Sequence, residues 1–235
     1  MSALDDATRA TSQQSRTTIL QKLRAVRPQP SRAPEIAAHY AAIPVPDPRT
    51  RALRFAAQAR AWQAEVVETD TSGWPTALDD VARRHGLRSV CAGRNTALAT
   101  TLERTLSPGR LRWYDDDLEA CKTAMFDDTD AGITTSLAGV AETGSLLLSP
   151  DSNEPRTLSL IPPLHIAVLR ERDLRETLLD ALQETGVQHA LPTNLLLVTG
   201  PSKTADIQRM LVYGAHGPKA LVILLIRDTQ PGDGA

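Results

Sequence analysis

From Arg49 onward the apolar residues follow two alternating rhythms. Ala52, Phe55, Ala56, Ala59 and Trp62 recur every three or four positions, which predicts a helix, and Val66 and Val67 then predict a short strand. The alternation continues. Leu78, Val81 and Ala82 mark a helix stopped near Gly86, Ser89 to Ala92 reads as a strand, and Leu98, Leu102 and Leu106 mark a helix ended by Pro108 and Gly109. Five more strands are predicted at Ile133 to Thr135, Leu146 to Leu148, His165 to Leu169, Leu195 to Val198 and Leu221 to Ile226. Between them Leu174, Leu178, Ala181 and Leu182 are in helical phase, as are Ile207, Met210 and Leu211. Several strands are apolar on both faces, as expected when helices cover both sides of a mainly parallel sheet. The pattern predicts an open, three-layer α/β domain, with no internal repeat.

The first 49 residues differ. Ile19, Leu20, Leu23 and Val26 line one side of a possible helix, and Pro28, Pro30, Pro34, Pro44, Pro46 and Pro48 follow within 21 residues. Prolines at that density deny regular structure and favour an extended connector. Residues 1–49 therefore read as a helix and Pro-rich arm, 50–228 as the α/β domain, and 229–235 as a tail. Charge follows the same division: residues 1–60 sum to +6, 61–160 to −7 and 161–235 to −1, giving the net −2. The basic arm could dock on an acidic partner or on the acidic middle of its own chain, or remain solvated.

Composition narrows the function classes. With 41% hydrophobic and 23% charged residues, the 235-residue chain has material for a sizeable core. Aromatics are only 3%, too few for base-stacking platforms, so no nucleic-acid partner is expected. Cys91 and Cys121 belong to no CxxC pair, which excludes a four-cysteine zinc or iron-sulfur site within one chain and fits a reducing cytoplasm. The longest wholly apolar run, Ala220 to Ile226, has 7 residues, and the N-terminus lacks an apolar core, so neither a membrane span nor a signal peptide is expected.

Several polar clusters could carry chemistry. Asp115, Asp116, Asp117 and Glu119 suit the N-terminal end of a helix and do not match a calcium loop. Between Gly132 and Ser145 the only charged residue is Glu142, on a turn with Thr143, Gly144 and Ser145. A carboxylate there is a candidate nucleophile or base if apolar neighbours raise its pKa, or else an ordinary turn residue. Leu160-Ile-Pro-Pro-Leu-His165 enters a buried strand, and a cis bond at either proline would aim His165 in a set direction. His165 could bind an anion, shuttle a proton or serve the structure alone. Finally, Thr199-Gly200-Pro201-Ser202-Lys203-Thr204 joins a strand to a predicted helix starting at Ala205-Asp206. Such a turn gathers N–H groups and hydroxyls for a carboxylate or phosphate, or Ser202 or Thr204 merely caps the helix. His216 and Gly217 lie on a glycine-flanked turn before the last strand. If these turns follow their strands at one sheet edge, they share a crevice with Thr134.

Taken in order, Gly132-Ile-Thr, Ala141-Glu-Thr-Gly-Ser, Leu160-Ile-Pro-Pro-Leu-His-Ile, Gly200-Pro-Ser-Lys-Thr-Ala-Asp-Ile and Gly214-Ala-His-Gly-Pro resemble the lactate-utilisation protein C family, the LUD-domain proteins. The resemblance covers roughly residues 50 to 228. It implies a fold like that of ribose-5-phosphate isomerase and CoA transferases, and a bacterial, cytoplasmic role beside iron-sulfur partner proteins in oxidising L-lactate to pyruvate. Sister members carry cysteine motifs for iron-sulfur clusters after the LUD domain; this chain, with two cysteines, resembles the cluster-free member, and its own cofactor is unassigned. One expectation is thus a non-redox subunit or regulator that holds a small carboxylate or phosphate-bearing ligand. The other is an enzyme resembling CoA transferases, with Glu142 as acyl acceptor. CoA transferases of this kind usually need two such sheet domains, which favours the subunit.

Overall fold

The computed structural model describes residues 3–25, 36–114, 125–187, 189–205, 211–214 and 216–228. The chain divides into two compact units, Met1–Ile43 and Pro44–Ala235. In the first, α1 spans Ala3–Ala25 and α2 spans Ile36–Ala41. The short α2 corrects the expectation of an irregular connector, since regular structure reappears between the two groups of prolines. Along α1, Ile19 and Leu23 are exposed.

The second unit begins its helical structure at a proline. In α3 (Pro48–Ala61) Asp47 is the N-cap, its carboxylate accepting from the Thr50 N–H at 3.0 Å, and Pro48 occupies a position where a missing N–H costs nothing. Ala52, Phe55, Ala56 and Ala59 form its buried stripe. Chain order then gives β1 (Glu65–Asp70), α4 (Trp74–Arg84), β2 (Val90–Gly93), α5 (Ala99–Thr105), β3 (Leu111–Tyr114) and β4 (Ala131–Thr135). The remaining elements are β5 (Ala138–Val140), β6 (Ser145–Leu148), α6 (Arg156–Leu160), β7 (Leu164–Arg170), β8 (Leu174–Arg175), α7 (Leu178–Glu184), β9 (Leu196–Val198), β10 (Lys203–Ala205), β11 (Leu211–Tyr213) and β12 (Ala220–Arg227).

Six strands make one sheet in the order β1-β12-β7-β4-β2-β3, and every pairing in it is parallel. In register, Gly132, His165 and Leu221 stand side by side. Alternate residues of these strands serve opposite faces. Ile133, Leu164, Ile166, Val168, Val222, Leu224 and Ile226 pack on α4 and α5 through Leu78, Val81 and Leu102. Ala167, Leu169, Leu221, Ile223 and Leu225 pack on Phe55, Ala56 and Ala59 of α3 and on Leu146 and Leu148 of β6. This second face is covered by α3 and by a four-stranded sheet, β8-β5-β6-β9, in which β6 runs antiparallel to both neighbours. The expected three-layer α/β architecture is present, with a sheet where a helical cover was expected on one side.

Three local readings change. Leu174 belongs to β8 and the helix begins at Leu178, held by a capping box in which the Asp180 N–H donates to the Thr177 hydroxyl and the Thr177 N–H donates to the Asp180 carboxylate. The helix predicted after the Gly200 turn is not formed at either end: Lys203–Ala205 and Leu211–Tyr213 are antiparallel strands paired Lys203 to Tyr213 and Ala205 to Leu211. Residues 206–210 of that prediction lie outside the described residues, as do Asp115 to Asp117, Cys121 and 229–235. The bonds before Pro162 and Pro163 are trans.

Candidate functional site

A cleft of about 190 Å³ opens at the amino ends of β7 and β12. Its floor is His165 and Leu221, each the second residue of its strand. One wall is Leu197 and Val198 of β9 with Thr199, Gly200, Pro201 and Ser202 after it; the other is Ser159 and Leu160 of α6 with His216, Gly217 and Pro218 before β12. Backbone hydrogen bonds fix these loops together. The Ser202 N–H donates to Pro218 O at 2.9 Å, Gly214 N–H to Ser202 O at 2.8 Å, and Lys219 N–H to Pro163 O at 2.8 Å. The location corrects the expectation of a crevice after the carboxyl ends of parallel strands: the cleft lies at the opposite edge.

His165 is buried, with 1% of its surface exposed. Its Nε2 lies 2.8 Å from Thr134 Oγ1, two residues beyond its register partner Gly132 on the neighbouring strand and so on the same face. Its Nδ1 has no hydrogen-bond partner among the described residues. Burial holds the imidazole pKa down to about 4, because a charged ring would lose its hydration with no anion beside it. At neutral pH the ring is uncharged, and its buried Nδ1 keeps one hydrogen bond unused, as donor or acceptor according to the tautomer.

The Gly200 turn does not supply an anion cradle of the expected kind. A strand follows it instead of a helix, and the Ser202 N–H is taken by Pro218. Lys203 is exposed on β10, and its Nζ sits 4.3 Å from the centre of the Trp62 ring, a cation–π contact outside the cleft lining. Thr204 is half-buried and pairs with Val212; Asp206 lies outside the described residues.

The Glu142 turn is adjacent but distinct. Thr143 Oγ1, Ser145 Oγ and Thr199 Oγ1 form a hydroxyl chain with spacings of 2.8 and 2.6 Å, which joins this turn to the cleft wall. Gly144, at φ 69°, would place a Cβ 2.3 Å from Ala59 N, and Gly200, at φ 80°, one 2.2 Å from Trp62 O. Only glycine fits either position, and both turns rest on the C-terminal end of α3. Glu142 itself is exposed and does not line the cleft. Its N–H donates to Glu176 O at 3.0 Å, while the buried Glu176 carboxylate pairs with Arg54. The apolar surroundings that would activate Glu142 are therefore absent.

Sequence reasoning missed several contributors. Ser159, Leu160, Leu197, Thr199 and Leu221 line the cleft; Leu160 and Thr199 stand within the quoted motifs and Leu197 and Leu221 within the predicted strands, but none was singled out as a site residue. Glu154 was missed as well: its carboxylate accepts from both the N–H and the hydroxyl of Thr135 at the carboxyl end of β4. Burial pushes the pKa of Glu154 up, opposed by the two Thr135 bonds, with the Asp151 charge adding to the rise. Among the described residues no group of three or more His, Cys, Asp or Glu could hold a metal ion, and no helix is long and apolar enough to cross a membrane.

Comparison with known proteins places the architecture. The LUD domain family model matches residues 52–226, which takes in the whole parallel sheet from β1 to β12 except Arg227, the last residue of β12. The chain belongs to the LUD-domain family. An uncharacterized protein of Neisseria meningitidis serogroup B is 33% identical over 216 residues, covering 90% of this chain and 93% of that one. The Lactate utilization protein C of Macrococcus caseolyticus is 29% identical over 168 residues, 70% of this chain and 72% of its own. A DUF162 family protein from Deinococcus radiodurans, known from its crystal structure, shares the fold at a TM-score of 0.59 and 19% identity, covering 77% of this LUD-domain chain and 99% of that one.

Proposed function

We propose that this LUD-domain protein serves lactate utilisation as a non-redox, ligand-binding component, and that the cleft over His165 is its ligand site. The observation that carries the ligand site is the buried, uncharged imidazole lining an open cleft, whose Nδ1 has no partner among the described residues. A buried polar nitrogen without a partner costs about 1–3 kcal/mol, so a protein that keeps one beside a cleft has a use for it. The process is suggested by relatives named Lactate utilization protein C. In finer terms, the protein acts in the cytoplasm beside iron-sulfur proteins that oxidise L-lactate to pyruvate, and those proteins carry the electrons. An acyl-transfer role for Glu142 has less support, since its carboxylate is exposed and away from the cleft.

The test is genetic. Deleting the gene should abolish growth on L-lactate but not on glucose, the intact gene should restore it, and a His165→Phe, Thr134→Val double variant should not, although the protein accumulates folded. Undiminished growth of the deletion strain on L-lactate would sink the role.

A further inference from the structure

We infer that the cleft takes an uncharged organic ligand, apolar along its body and carrying one hydrogen-bonding group that meets His165 Nδ1, and that it rejects carboxylates and phosphates. This rests on the reading of the cleft as the ligand site, and it names the ligand's chemical class.

The walls set the body of the ligand. Leu160, Leu197, Val198, Pro201, Pro218 and Leu221 present hydrocarbon to the space, and two of them, Leu160 and Leu197, are 37% and 50% exposed at its rim. A ligand that covers those surfaces gains by removing them from water.

The polar groups set its charge. A carboxylate or phosphate entering the cleft gives up its hydration and needs a cation or several N–H donors in return. His165 is uncharged at neutral pH, because burial without an adjacent anion favours the neutral ring. The Lys203 ammonium rests on the Trp62 ring and does not line the cleft, and the Ser202 N–H already donates to Pro218. The Thr199 hydroxyl is engaged with Ser145, and the Ser159 hydroxyl donates to Arg156 O at 3.0 Å. Among the described lining residues, what is left is one neutral ring nitrogen and the Ser202 hydroxyl, enough for a carbonyl, hydroxyl or amide and without a charge to offset an anion. His216, exposed at the rim, is the one remaining basic side chain among the described lining residues, and there it stays in water.

A matched pair of probes tests this directly. The full-length protein, labelled with nitrogen-15 in histidine, is titrated with benzamide, with benzoate, with L-lactate and with inorganic phosphate at neutral pH, while the His165 ring nitrogens are followed by NMR. Benzamide and benzoate share a ring and differ in charge. The expected result is a saturable shift of Nδ1 with benzamide and at least tenfold weaker binding of benzoate, with L-lactate and phosphate leaving Nδ1 unmoved. Benzoate, L-lactate or phosphate binding as tightly as benzamide would overturn the ligand class while leaving the cleft as a site. If no probe moves His165, both the inference and the reading of the cleft as a ligand site fail. The His165→Phe, Thr134→Val double variant should bind benzamide at least tenfold more weakly. Leu197→Trp, which fills the rim from an exposed position and leaves the core untouched, should do the same; full binding by a folded Leu197→Trp protein would contradict the assignment.

Discussion

The same three central strands, β4, β7 and β12, present two very different faces. Toward α4 and α5 every buried position is hydrocarbon, as in Ile133, Ile166 and Leu224. Toward α3 and the second sheet the middle of the strands is equally apolar, through Ala167 and Ile223, but the face also carries the polar pair Thr134 and His165. Period-two alternation lets one strand do both, since a residue can change on one face without moving the other. The comparison teaches that stability and chemistry are divided by face: helices close the first completely, whereas the short β9 leaves the amino end of the second open as a cleft.

The sharpest way to break this division is to attack the closed face. Ile166→Ala removes a fully buried side chain between α4 and the sheet and should destabilise the protein by about 2–5 kcal/mol in urea unfolding. The folded fraction should still bind whatever the cleft binds, because the adjacent His165 points to the other face. A loss of binding larger than the loss of folded protein would show the faces to be coupled.

Acid probes the open face. His165 has a pKa of about 4 when folded against 6.5 when free, so between those values the unfolded chain binds the extra proton. Its contribution is complete above pH 6.5 and is lost as pH falls toward 4, on the order of 3 kcal/mol in total. Glu154, Glu171 and Asp173, whose carboxyls are raised in the fold mainly by burial, act in the opposite sense. The His165 share is therefore read as a difference: the double variant His165→Phe, Thr134→Val should lose less stability than the parent on going from pH 7 to pH 4. Equal losses would mean that the imidazole is not held neutral. The smallest effect should come from the hairpin beside the cleft. Glu142→Gln, at an exposed carboxylate outside the lining, should change stability by less than about 0.5 kcal/mol and leave cleft binding intact.

Much of the fold is legible in the sequence because burial on both sides of a parallel strand leaves long apolar runs, as in Leu221 to Ile226. Short strands leave weaker traces. β5, with Ala138, Gly139 and Val140, is three residues long and escaped notice, and Ile207, Met210 and Leu211 suggested a helix where Leu211 pairs in a hairpin. Periodicity over so few residues does not separate the two. His165 was visible as a candidate from its place after two prolines, but its role was not. That depends on Thr134 standing at the right register on a strand that is 31 residues distant, and on no acid lying nearby. The edge of the sheet at which the cleft opens was also beyond reach, since strand order is a property of pairing and not of local pattern. The same holds for the turn at Gly144: its glycine was read as conformational freedom, whereas the structure adds the backbone of α3 pressed against it.

Gly200 ties the interior to the outside of the molecule. Its backbone lies directly on the carbonyl of Trp62, whose half-exposed indole carries the Lys203 ammonium. The wall therefore has no slack at that point: to swing outward around a bulky guest it must either drag the indole along or part from it. Either motion alters the surroundings of a surface chromophore, which makes tryptophan emission a natural gauge of what happens beneath.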